Sequence, residues 1–104
     1  MPTTTIAGRD IEVNDEGFLT DPAQWDEALG TELATLIGVE MTERHWEVVR
    51  FLRRDHAARG ETPTLRRVSS EGGFPTKELF DLFPKKPAKK MSYVAGLPKP
   101  KGCV

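Results

Sequence analysis

The sequence predicts an α+β fold, a small N-terminal antiparallel β-meander packed against an array of about five helices. Three observations predict it. Over residues 1–20, β-branched residues alternate with polar ones between turn-forming residues. Over residues 21–95, apolar residues recur at three- and four-residue spacing behind helix caps. Nothing repeats internally, and 104 residues with 38% hydrophobic and 30% charged content fit one soluble domain with a modest core.

In the first stretch Ile6, Ile11 and Val13 are the strand-forming residues, and Gly8 and the run Asn14-Asp15-Glu16-Gly17 supply turns. Asp21-Pro22 then reads as an N-cap followed by proline at the first helical position. Trp25, Leu29, Leu33 and Leu36/Ile37 follow at helical spacing, with Gly30 weakening the middle, where a break can fall, and Gly38 a stop. Thr42 caps the clearest helix, ERHWEVVRFLRRDHAAR, which places Trp46, Val49, Leu52 and Arg53 on one side and ends at Gly60. A turn and a short basic helix in ETPTLRRVSS complete a helix-turn-helix-like unit. PTKELFDLF gives another short helix, with Leu79, Phe80 and Phe83 apolar. AKKMSYVAG gives the last, with Ala88, Met91 and Val94/Ala95 inward and Gly96 just past its end. The expected organisation is a meander over 1–20, a helical array over 21–95 and a flexible C-terminal arm over 96–104.

Composition narrows the function. No apolar run is long enough to span a membrane, and the start of the chain lacks the basic and apolar regions of a secretory signal. A single cysteine excludes an internal disulfide and points to a reducing compartment, the cytoplasm. The net charge of −1 conceals an asymmetry: residues 1–52 carry 3 Lys/Arg against 11 Asp/Glu, and residues 53–104 carry 12 against 5. The basic half fits either an anionic partner or solvated faces that attract each other. His45 and His56 have no metal-ligand spacing, and no zinc, P-loop or dinucleotide-binding motif is present, so neither a metal nor a cofactor is expected. Arg66 and Arg67, in the short basic helix, are the candidate contacts to nucleic acid, the bland alternative being two packed helices with a basic rim.

The arm GLPKPKGCV carries the candidate chemistry. Pro98 and Pro100 favour an extended path that reaches about 20–25 Å from Gly96. Gly102 gives freedom just before the thiol of Cys103. Lys99 and Lys101 add positive charge that favours the reactive thiolate, and the α-carboxylate of Val104 opposes them. An arm, a swivel and a thiol suit entry into another protein's active site. Prenylation needs the cysteine fourth from the end and does not fit.

The run FPKKPAKKMSYVAGLPKPKGCV, preceded in order by GFLTDPAQWDEALG, TERHWEVVRFLRR and TPTLRRV, resembles the DsrC/TusE family of sulfur-trafficking proteins over nearly the whole chain. The resemblance implies a β-meander on a helical array and a mobile arm. It implies a carrier with no closed active site of its own, in which Cys103 takes a persulfide sulfur from one partner and presents it to another. The implied donors are of the DsrEFH/TusBCD type, and the acceptor is a tRNA thiolase or a sulfite reductase. In the two-cysteine branch, DsrC proper, a second thiol lies eleven residues before the first, and here that position is Ser92. Single-cysteine members resemble TusE, which relays sulfur from TusBCD toward MnmA for 2-thiouridine in tRNA. The stretch GGFPTKELFDL is shorter than either branch leads one to expect. The alternatives are a DsrC-like gamma subunit or binding partner of dissimilatory sulfite reductase or another sulfur-oxidation complex, and a helix-turn-helix regulator that binds DNA.

Overall fold

The computed structural model describes residues 3–6 and 8–100. Strands β1 (Thr3–Ile6) and β2 (Arg9–Glu12) pair antiparallel, with Thr4 opposite Ile11 and Ile6 opposite Arg9. Ile11 and Val13, two residues apart, point the same way and are buried. The third run of the meander is reduced to one bridge between Val13 and Leu19. The Asn14 carboxamide closes the turn between them, its Oδ1 accepting from the backbone N–H groups of Glu16 and Phe18.

Five α-helices follow among the described residues: α1 (Glu27–Leu36), α2 (Glu43–Arg59), α3 (Leu65–Gly72), α4 (Thr76–Leu82) and α5 (Pro87–Val94). The helix expected from Asp21-Pro22 is corrected. Asp21 does cap Ala23 N–H, but only one 3-10 turn, Pro22–Gln24, results. Trp25 is extended, and the chain restarts at Asp26, whose Oδ1 accepts from Leu29 N–H at 2.9 Å. The break therefore falls at Trp25 and not at Gly30, which lies buried inside α1. A Cβ at Gly30 would stand 2.9 Å from Trp25 Cζ2, so the glycine makes room for the indole.

α2 starts and stops where expected. Thr42 N–H donates to His45 Nδ1 at 3.0 Å, and Gly60 closes the far end at φ +77. The acceptor role of Nδ1 leaves the proton on Nε2, which donates to Leu82 O at 2.8 Å and ties α2 to the end of α4. Val48, Val49 and Leu52 of α2 lie at the centre of the larger core cluster with Val68, Leu79, Phe83, Met91 and Val94. A smaller cluster packs Ile6, Ile11, Val13 and Leu19 against Leu29 and Leu33 of α1, and Trp25 and Tyr93 touch both. In α4, Leu79 is buried while Phe80 faces solvent. The short segment between α3 and α4 folds back through buried Phe74, which meets Phe51 edge-on at 6.3 Å and lies under the Arg44 guanidinium. No helix among the described residues is long and apolar enough to cross a membrane.

One buried charge links α2 to α3. Asp55 accepts from Arg67 Nε and Nη2 at 2.9 and 2.8 Å and from Arg59 Nη1 at 3.1 Å. The Arg67 hydrogen bonds, against the opposing pull of burial, hold its carboxyl below the usual aspartate range. A depressed carboxyl pKa contributes stability that is present above the ordinary value and lost as pH falls through the folded one. Asp55→Asn is expected to cost about 2 kcal/mol at pH 7. The gap between wild type and variant should shrink by pH 3, which urea midpoints at the two pH values will read. A gap that stays constant with pH would remove Asp55 from the acid response.

Candidate functional site

Several side chains converge on the segment that follows α5. α5 ends in a Schellman turn: Leu97 N–H donates to Ser92 O and Gly96 N–H to Tyr93 O, both at 3.1 Å. Gly96 adopts φ +69, which this turn requires. The last carbonyls of a helix lack partners in the helix itself. Here side chains supply them. Trp25 Nε1 donates to Val94 O at 2.8 Å, and Arg53 Nη1 donates to Ala95 O at 2.7 Å. Arg53 Nη2 reaches Pro22 O at 2.9 Å, and its guanidinium lies 4.3 Å above the Trp25 ring. Burial lowers the Arg53 pKa from its ordinary value, but a guanidinium stays charged, and a cation suits a helix C-terminus.

The hold continues past the helix. Leu97 is fully buried. Thr62, on the α2–α3 turn, donates from Oγ1 to Pro98 O at 2.8 Å. Lys99 Nζ lies 3.3 Å from the Glu16 carboxylate, which Lys89 also approaches at 3.7 Å. The start of the arm is thus bolted to the hairpin side, the 3-10 turn, α2 and the α2–α3 turn. The chain is fastened as far as Pro98 and Lys99, two to three residues beyond the Gly96 boundary drawn from sequence.

The candidate residues fall in different places. Cys103, Lys101 and Gly102 lie outside the described residues. Lys99 is engaged by Glu16. Arg66 is exposed on α3, whereas Arg67 is committed to Asp55, so the two are not paired on one binding face. Among the described residues no group of three or more His, Cys, Asp or Glu side chains could hold a metal ion. Trp25, Arg53, Thr62 and Glu16 are the residues that sequence reasoning missed. A signal existed for Arg53, an arginine on the same side of α2 as Val49 and Leu52. For Thr62 and Glu16, whose partners lie 36 and 83 residues away, there was none.

Among the described residues, a β-hairpin, five α-helices and a segment after α5 held by Trp25, Arg53 and Thr62 define a small α+β class. Comparison with known proteins places the chain within that class. It belongs to the DsrC-like family, whose model, described as DsrC like protein, matches residues 5–104. Sulfurtransferase TusE of Escherichia coli (strain K12) is 37% identical over 105 residues, covering 93% of this chain and 95% of the relative. The TusE of Salmonella typhimurium is 38% identical with the same coverage. The NMR structure of Allochromatium vinosum DsrC superposes with a TM-score of 0.81 at 34% identity, covering 98% of this chain and 97% of that one. The oxidized gamma-subunit of dissimilatory sulfite reductase (DsrC) from Archaeoglobus fulgidus superposes with a TM-score of 0.78 at 33% identity, covering 99% and 100%.

Proposed function

We propose that this chain is a sulfur carrier of the TusE type, in which Cys103 receives a persulfide sulfur and passes it on. The observation that carries the reading is the anchored root. Trp25, Arg53 and Thr62 fasten the chain up to Pro98, five residues before its one thiol, so the arm has a fixed origin from which to present Cys103. The chemistry is thiol exchange on a persulfide. The Cys103 thiolate attacks the outer sulfur of the donor's persulfide, and a new S–S bond forms as the donor's S–S bond breaks. The donor leaves as thiolate, the outer sulfur keeps its proton, and no oxidant or reductant is consumed. A second such exchange hands the sulfur to the acceptor. The donor is of the DsrEFH/TusBCD type, and the acceptor a tRNA thiolase. A lone thiol of this kind belongs in a reducing compartment, which makes the cytoplasm the setting.

A second reading, a binding subunit of a sulfite reductase, draws on the similarity to the gamma-subunit of Archaeoglobus fulgidus. Ser92 weighs against its two-cysteine form. This residue is fully buried in α5, where its Oγ donates to Ala88 O at 2.7 Å, and it has no sulfur to bridge to Cys103. The DNA-binding reading loses support from the commitment of Arg67 to Asp55. Intact-mass spectrometry after incubation with cysteine, a cysteine desulfurase and a TusD/DsrE-type donor tests the proposal. The expected result is a gain of one sulfur atom on Cys103, reversed by dithiothreitol. A folded protein with a free thiol that gains nothing from donor or from inorganic polysulfide would overturn it.

A further inference from the structure

α5 carries a second pattern that neither the core nor the arm root uses. Lys86 at its N-cap, Lys89 and Lys90 in its first turn and Tyr93 one turn later recur at helical spacing, so they line one side. The other side, with Pro87, Ala88, Met91 and Val94, is buried. Lys89, Lys90 and Tyr93 form one wall of an open cleft of about 300 Å³, and Glu16, Phe18 and Ile37 form the rest. The lining is largely apolar. Phe18 meets Tyr93 edge-on at 5.8 Å, and Leu36, beside Ile37, is 61% exposed, the most exposed large hydrophobic residue described. Lys89 and Lys90 make the wall cationic, and Lys86 extends their side of α5 toward its N-terminus. Lys86 is exposed, and among the described residues no ion pair engages Lys86 or Lys90. The one carboxylate in the wall, Glu16, is shared between Lys89 and Lys99.

We propose that this cleft and its lysine rim form the docking surface for an acidic segment, with an apolar residue at its centre, on the protein that donates sulfur to Cys103. The inference rests on the carrier reading above and names the face of the molecule it uses. Uncompensated lysines on one helix side repel one another and serve nothing inside the fold, but they attract and orient an acidic partner. An apolar floor of Phe18, Ile37 and Tyr93 is the kind of surface a partner covers. The Glu16–Lys99 contact joins the cleft to the arm root, so a protein seated there lies beside the origin of the arm. Cys103 lies five positions beyond Pro98, at most about 17 Å of extended chain, so the donor's own sulfur must lie close to its docking segment. RNA fits this surface less well. The rim holds no arginine for bidentate phosphate contacts, a carboxylate stands in the wall, and the two aromatic rings are spent on each other rather than offered as stacking faces.

The test is a double charge reversal, Lys86→Glu with Lys90→Glu, which leaves Cys103, the clamp and Lys89 in place. Sulfur transfer from a persulfide-loaded TusD/DsrE-type donor is timed at 20 and 300 mM salt, beside direct loading from inorganic polysulfide and binding of total tRNA. In wild type the donor-dependent rate should fall steeply with salt. In the variant it should be at least ten-fold slower at low salt and nearly independent of salt, with polysulfide loading unchanged. A variant that accepts sulfur from the donor at the wild-type rate and salt slope would overturn the surface. So would loss of tRNA binding with unchanged transfer, which would make RNA the ligand, or a wild type that loads from polysulfide but never from the donor. Failure of wild type to load from either source would instead overturn the carrier reading itself.

Discussion

Gly96→Ala is expected to destabilise the fold by about 2–5 kcal/mol, the sum of a left-handed backbone cost of about 1–2 kcal/mol and an overpacking cost of about 1–3 kcal/mol. Both parts are visible at the site. Gly96 sits at φ +69, and an added Cβ would stand 2.8 Å from Trp25 Cβ and nearer still to Cδ1. Trp25 has little freedom to yield, because its indole nitrogen is bound to Val94 O and its ring is covered by Arg53. Gly38 provides the control. Its φ is +74, but nothing lies within 4 Å of a Cβ built there, so Gly38→Ala should show the backbone cost alone. Urea unfolding of both variants separates the two contributions. Equal losses for Gly38→Ala and Gly96→Ala would mean that the arm root accommodates a methyl group and that the clamp is loose. In a Trp25→Ala background the extra loss from Gly96→Ala should largely vanish, a coupling that a double-mutant cycle measures.

The second large effect is chemical. Cys103→Ser is expected to abolish sulfur acceptance from a protein donor, to the limit of detection, with secondary structure and unfolding midpoint unchanged. A serine hydroxyl is not ionised near neutral pH and does not attack a persulfide as a thiolate does. The protein contains no other thiol to take over. Loading followed by intact mass, with circular dichroism on the same sample, gives both readouts. Sulfur still bound reversibly to the serine variant would move the acceptor away from Cys103 and end the carrier mechanism as drawn.

The parts of this molecule that were legible in its sequence are those whose causes are local. Thr42 and Gly60 bracket α2 because a cap and a left-handed stop act within one turn of their own positions. Gly96 reads as the residue after α5 for the same reason. The start of α1 misleads because Asp21-Pro22 is a sound local signal overruled from a distance: Trp25 leaves helical geometry, and its indole reaches Val94, 69 residues away. Gly30 reads in sequence as a weak point of the helix, whereas in the fold it makes room for the Trp25 ring laid against it. The basic helix is ambiguous in sequence because the partner of Arg67, Asp55, lies 12 residues earlier and is buried. The expectation placed on the thiol lies outside the described residues. The fastening of the arm's root depends on Pro22, Trp25, Arg53 and Thr62, which come together only in the folded protein.

That fastening is expected to oppose the usual gradient of local opening. The last turn of a helix ordinarily frays, and its amides exchange with solvent through small fluctuations far below the global unfolding energy. At the end of α5 the Leu97 and Gly96 amides lie within the Schellman turn, Leu97 is buried, and the neighbouring carbonyls are held by Trp25 and Arg53. The two amides bond to Tyr93 O and Ser92 O of α5 itself, but the peptide carbonyls between, Val94 O and Ala95 O, are tied to Trp25 and Arg53, so unwinding this turn is expected to disturb those contacts as well. Hydrogen exchange at Gly96 and Leu97 should therefore be as slow as at Val49 or Leu52. If exchange there is that slow, a pull on the chain beyond Leu97 would meet the body of the domain and not a fraying helix end, and the energy of docking would not be dissipated in unravelling α5.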